Sequence, residues 1–167
     1  MKLHYFYLFI CIILLSFISK EKITKVKYDY IIGYNYNVED SILPKKPSFH
    51  EYSIVRDGKI QYMYVQKEKK LTPSEATKIL QTINSIDTYS GDSHACFEPR
   101  LTYVLYKEDN IVGYIDICFE CIGLESTLFI PAKYKVEKKY TTAGISETGK
   151  SNLKQITDKI GLYSYSE

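Results

Sequence analysis

The sequence predicts an α+β fold: an antiparallel β-sheet built from hairpins, with two helices packed on one face. Three observations carry this. Two pairs of strand-like runs are each joined by a short polar turn. Two amphipathic helical stretches stand apart in the chain, each opened by a capping residue. No repeat and no flexible linker breaks the pattern. The chain has 167 residues, which accommodates one domain over 20–167 behind an N-terminal segment at 1–19.

The N-terminus begins Met1-Lys2-Leu3-His4 and continues as the uncharged run Tyr5 to Ile18, closed by Ser19-Lys20-Glu21-Lys22. A short positive region before an apolar core is the pattern of a secretory signal peptide. The run falls short of the roughly 20 apolar residues that a spanning helix needs. An uncleaved membrane anchor is the alternative. The expected location is therefore outside the cytosol, as a periplasmic, secreted or membrane-anchored protein. Cys11 lacks a small residue before it, which disfavours a lipoprotein.

Ile23 to Tyr36 alternates apolar residues with Lys25, Lys27 and Asp29. It reads as a long strand at a sheet edge, guarded by lysines. Residues 37–50 hold Pro44 and Pro47 and read as a loop. Glu51 to Val55 and Lys59 to Val65 flank Arg56-Asp57-Gly58, and Asp-Gly is a strong hairpin signal. Gln66 to Lys70 reads as a solvated basic run. Thr72-Pro73-Ser74-Glu75 opens a helix: Thr72 caps, Pro73 takes the first position and Glu75 completes a capping box. That helix runs to about Ser85, burying Ala76, Ile79, Leu80 and Ile83 at helical spacing. Residues 87–93 form a loop. Ser126 to Ile130 reads as a strand stopped by Pro131, and Tyr134 to Thr142, rich in lysine, as strand or loop. The last helix covers Thr148 to Ile160, with Leu153, Ile156 and Ile160 on one face.

The central hairpin joins Leu101 to Tyr106 with Ile111 to Phe119 through Lys107-Glu108-Asp109-Asn110. With Asp109-Asn110 as its two-residue turn, Tyr106 faces Gly113, Val104 faces Ile115 and Thr102 faces Ile117, a face that looks like core. Continuing the register brings Cys96 back towards Cys118 and Cys121. At roughly 3.3 Å per residue the three sulfurs fall within about 10 Å.

Three arrangements satisfy these thiols. One is a disulfide, Cys96 with Cys118 or Cys121, or a Cys118–Cys121 redox pair, and disulfides persist in exported proteins. The second is zinc held by His94, Cys96, Cys118 and Cys121, a Cys₃His set suited to tetrahedral metal. The third is packing, since a buried free cysteine behaves as a small hydrophobe. Cys-Phe-Glu-Cys closes a strand here, whereas a low-pKa redox pair belongs at a helix N-terminus.

Cys96-Phe97-Glu98-Pro99-Arg100, a hairpin, then Cys118-Phe119-Glu120-Cys121 resembles a family of small exported bacterial proteins of unassigned function. Ser146-x-x-Gly149, leading into a helix with Leu153 and Gly161, is similar too. The resemblance covers a small part of the chain and implies no activity. It marks the three cysteines as a set.

Gly144-Ile145-Ser146-Glu147-Thr148-Gly149-Lys150-Ser151 matches the phosphate-binding pattern GxxxxGK[ST]. Gly144, Gly149, Lys150 and Ser151 are nonetheless not read as a nucleotide site: the segment reads as a helix cap, with Ser146 or Thr148 as the capping residue and Lys150 in solvent. Too little chain follows Ser151 to complete a parallel sheet, and the only upstream apolar run ending in an acid lies in a hairpin. No catalytic residue is assigned, because no spacing joins His50 or His94 to a nucleophile. The net charge of +2 makes no electrostatic case for nucleic acid. The expected protein is a binding or structural module whose cysteine site stabilises it. Its partner is a protein or, through the N-terminal segment, a membrane. The alternative is a thiol-dependent redox protein or enzyme using Cys118 and Cys121.

Overall fold

The computed structural model describes residues 26–38, 52–92 and 96–162. Within them the chain runs β1 (Tyr30–Tyr36), β2 (Val55–Arg56), β3 (Lys59–Ile60), β4 (Val65–Lys70), α1 (Pro73–Ile83), β5 (Tyr89–Ser90), β6 (Leu101–Lys107), β7 (Asn110–Cys118), β8 (Gly123–Ser126), α2 (Pro131–Tyr140), β9 (Gly144–Ile145) and α3 (Glu147–Lys159). Five strands form one sheet in the order β4-β1-β6-β7-β8. Every pairing in it is antiparallel. The ribbons β2-β3 and β5-β9 stand outside it.

The sheet is apolar on both faces. On one, Ile31, Leu101, Tyr103, Leu105, Ile115 and Ile117 pack against all three helices, through Ile79 and Ile83, Ala132 and Val136, and Leu153 and Ile156. On the other, Tyr34, Tyr36, Val104 and Tyr106 pack against Ile54 and Val55 of the β2-β3 segment. The fold is thus α+β with an antiparallel sheet and its helices on one face, as expected from the sequence, but with three α-helices among the described residues instead of two.

The third helix, α2, replaces the expected strand or loop at Tyr134 to Thr142. Pro131, read as a strand stop, instead takes the first helical turn, where its missing N–H costs nothing. Ala132 and Val136 supply the buried side. Four lysines hid this narrow stripe from a periodicity reading. Thr141 ends the helix in the left-handed region, φ 73°. The preceding strand, β8, lies earlier than expected, at Gly123–Ser126.

Strand order gives another correction. β1 is internal, bonded to β4 on one side and β6 on the other. The edge on this side is β4, the run read as a solvated face. An edge strand needs one buried flank only, so lysines and glutamate fit it and discourage pairing with another chain. Lys70 Nζ lies 3.9 Å from the centre of the Tyr30 ring, a cation–π contact across that edge.

The central hairpin turns one residue earlier than expected. Glu108 and Asp109 carry φ of 48° and 63°, the signature of a type I′ turn, and Lys107 pairs with Asn110. The register then shifts between Leu105 and Tyr106, so that Leu105 meets Gly113, Tyr103 meets Ile115 and Leu101 meets Ile117. A one-residue slip exchanges the partners on every face. Here it joins Ile115 and Ile117 to the helix-side core and leaves Thr102 opposite Asp116.

Other local expectations hold in part: the Asp-Gly turn forms, but its strands are only Val55–Arg56 and Lys59–Ile60, and Tyr62–Tyr64, expected in the second strand, is a 3-10 turn. Arg56-Asp57-Gly58-Lys59 turns a hairpin with Val55 opposite Ile60. The Thr72 capping box is complete: the Glu75 amide donates to Thr72 Oγ1 at 3.3 Å, and the Thr72 amide donates to Glu75 Oε2 at 2.8 Å. No helix among the described residues is long and apolar enough to cross a membrane. The apolar run 5–18 and His50 lie outside the described residues.

Candidate functional site: a cluster of three cysteines

Cys118 is the last residue of β7 and sits opposite Gly123 of β8. The intervening turn carries Ile122 at φ 46°, which folds Cys121 back under the strand end. The Cys121 amide donates to Cys118 Sγ at 3.1 Å. Cys118 and Cys121, odd-numbered apart, therefore share one place because the strand stops between them.

Cys96 arrives from the other side. The segment from Cys96 to Arg100 runs into β6 beside the end of β7, and the Arg100 amide donates to Ile117 O at 3.3 Å. Cys96 Sγ then lies 2.7 Å from Cys121 Sγ. That is far inside ordinary contact between unbonded sulfurs and about 0.65 Å beyond a disulfide bond of about 2.05 Å. All three are free thiols in this structure. Cys118 and Cys121 are buried and Cys96 is exposed. With Phe97 the buried pair forms a small apolar cluster of its own. A Cβ on Gly123 would meet Phe97 Cδ2 at 2.6 Å, so this glycine lets the ring close the site.

The electrostatics do not favour a reactive thiolate. The hydrogen bond to Cys121 pushes the Cys96 thiol up from its ordinary pKa, and partial burial adds to this. Burial, then the Cys118 sulfur, pushes Cys121 up as well, against a smaller lowering from Cys96. A raised thiol pKa leaves little nucleophile at neutral pH. Cys118 Sγ lies 3.9 Å from Glu120 Oε2 on the turn.

Of the four residues considered for zinc, the fold gathers Cys96, Cys118 and Cys121; His94 lies outside the described residues. Among the described residues no group of three or more His, Cys, Asp or Glu is arranged to hold a metal ion.

A polar network beside the thiols escaped the sequence reading. Asp116 is 3% exposed and accepts a hydrogen bond from Thr102 Oγ1. Thr102 Oγ1 also lies 3.2 Å from the Tyr36 hydroxyl. Strand alternation puts Asp116 and Cys118 on the same face of β7. Burial, and then the Asp116 charge, push the Tyr36 phenol well above its ordinary pKa. The signal in the sequence was an acid inside the otherwise apolar run Ile115-Asp116-Ile117, but only the register shows that its face is covered.

The segment matching the phosphate-binding pattern forms a helix cap. Gly144 lies in β9, which pairs antiparallel with β5. Ser146 Oγ accepts the Gly149 amide at 3.0 Å and Ser146 O accepts the Lys150 amide at 2.8 Å. A Cβ on Gly149 would meet Thr88 O at 2.4 Å, and one on Gly144 would meet Asp92 O. Both glycines therefore let backbone approach backbone. Comparison with family models, curated proteins and solved structures found no match.

Proposed function

We propose that this chain is an exported α+β module that binds or scaffolds, and that its cysteine site is a structural disulfide between Cys96 and Cys121. The observation that carries the reading is the 2.7 Å approach of the two sulfurs. The raised pKa values of both thiols support a stabilising role over a catalytic one. In the chain-entropy picture, a bridge over a separation of 25 residues stabilises by about 3.5 kcal/mol. It would tie the segment entering β6 to the turn leaving β7, closing the open end of the hairpin.

The partner class is protein, with the N-terminal apolar run as the membrane tether where it is retained. Tyr62 and Met63, 62% and 79% exposed, sit together on the segment over the tyrosine-lined face. Tyrosine and methionine are the amphipathic and adaptable residues that interfaces favour.

The test is a non-reducing peptide map after alkylation in denaturant, on protein purified from an oxidising compartment. The expected result links Cys96 to Cys121 and leaves Cys118 alkylated. Cys96→Ser and Cys121→Ser each lower stability by about 3 kcal/mol without reductant and by little in its presence. Three alkylated thiols, together with a zinc-sized mass increment in the native spectrum, would replace the disulfide with a metal site.

A further inference from the structure

Two sulfurs lie beside Cys121, one against its own sulfur and one against its backbone amide. On the exposed side Cys96 Sγ lies 2.7 Å away. On the buried side Cys118 Sγ accepts the Cys121 amide at 3.1 Å, which holds it against the turn carrying Cys121. Its sulfur is close enough to help raise the Cys121 pKa. The set is odd in number, so a bridge within it always leaves one thiol over.

We propose that Cys121 is a shared partner: its disulfide passes between Cys96 and Cys118 by internal exchange, and the passage converts Cys96 into a solvent-facing thiol. This rests on the Cys96–Cys121 disulfide of the preceding reading and adds regulation to it. The Cys118 thiolate attacks Cys121 Sγ. The Cys118–Cys121 bond forms as the Cys96–Cys121 bond breaks, and Cys96 leaves as a thiolate. The proton given up by Cys118 goes out past Glu120, whose carboxylate lies 3.9 Å from the sulfur, and solvent returns one to Cys96. One disulfide and one thiol stand on each side of the reaction, so no outside oxidant or reductant enters.

The two forms differ in what they show to solvent. With Cys96–Cys121 bridged, the spare thiol is Cys118, 1% exposed and shielded from reagents in solvent. With Cys118–Cys121 bridged, the spare thiol is Cys96, exposed and free to form a mixed disulfide with a partner's thiol group. The bridge between strand end and loop is also lost, so the segment before β6 is released from the β7 turn. Attack by a thiolate on a neighbouring disulfide is the general route of such rearrangement.

The experiment uses the full chain, oxidised and free of reductant. A peptide map after acid quench comes first. Without a Cys96–Cys121 link at that point, the disulfide reading and the exchange both fall. With the link present, the folded protein is held with iodoacetamide at about pH 8.5, in the ordinary thiol range, and mapped over time. The expected result is label accumulating on Cys96 as the Cys118–Cys121 link grows, at a rate independent of protein concentration. Label on Cys118 with the original link intact, or no label on either, overturns the exchange and leaves the disulfide reading standing. In Cys118→Ser, Cys96 labelling drops to background; labelling that persists in that variant also overturns it. Mapping by peptide keeps Cys11 separate from the three.

Discussion

Tyr103 is the one described residue whose buried side-chain polar atom has no hydrogen-bond partner. Its ring fills the helix-side core between Gly33 and Ile115, the residues opposite it on β1 and β7, and its hydroxyl gains nothing there. Asp116 is the opposite case. It is equally buried, yet Thr102 donates to it and Tyr36 lies next in line. An unmet buried donor costs about 1–3 kcal/mol, whereas removing one member of a satisfied network strands the others. Tyr103→Phe should therefore raise stability by about 1 kcal/mol, and Asp116→Ala should lower it by about 2 kcal/mol or more. Urea unfolding of the two variants beside the parent checks both signs. A destabilised Tyr103→Phe would mean that the hydroxyl has a partner after all.

At the scale of elements, the segment from Gly144 to Ser151 shows how one pattern serves different physics. The match to a phosphate-binding loop is complete in residue type. Its serine, however, is the cap of α3, and its two glycines are contact points with Thr88 and Asp92. A cap is worth about 1 kcal/mol, and a lysine on a helix surface much less. Ser146→Ala should cost about 1 kcal/mol in thermal or chemical unfolding, and Lys150→Ala should change stability by less than about 0.5 kcal/mol. A fall in nucleotide affinity in Lys150→Ala, measured by calorimetry, would return the segment to phosphate binding. A cap at Ser146 or Thr148 was legible because its hydrogen bond is local, and the structure gives it to Ser146. The helix α2 was not, because its helical state is decided by where Ala132 and Val136 find a core, and four lysines blur the stripe.

Over the whole molecule, tyrosines carry much of the packing. Tyr34 and Tyr36 lie within the face covered by the β2-β3 segment, while Tyr89 and Tyr103 lie on the helix side. Burial pushes the phenols of all four well above their ordinary pKa. Each is then an acid whose folded pKa exceeds its unfolded one near 10. The stability that these groups contribute is fully present below that pH and is lost as pH rises through it towards the folded values. Tyr30 differs: it is at the surface, and its hydrogen bond to Asp109 at 2.7 Å holds its phenol up to about 12. An alkaline titration followed by phenolate absorbance and circular dichroism should show the buried tyrosines ionising together with unfolding. Gradual ionisation with the fold intact would mean that these rings are open to solvent.

How much could be read beforehand follows the range of the interactions. Thr72 with Glu75, Asp57 with Gly58, and a hydroxyl cap at Ser146 or Thr148 act within a few residues, and they were legible for that reason. The β7-to-β6 return that gathers Cys96, Cys118 and Cys121 was legible too, since any hairpin turning near Asp109 brings them together. Which sulfur meets Cys121 was not. That depends on the strand ending at Cys118, on the left-handed Ile122, and on Phe97 seating over Gly123.

The sequence by itself determined the α+β class, the hairpins, the presence of α1 and α3 and the gathering of three thiols, because propensity, capping and turn chemistry are local. Only the tertiary structure decided the rest: the turn register, β1 inside the sheet with β4 at an edge, α2 as a helix, Asp116 under cover, and Cys121 beside two sulfurs. Each of these depends on which surfaces find partners far along the chain, and a strand cannot carry in its own residues the identity of the neighbour that will bury it.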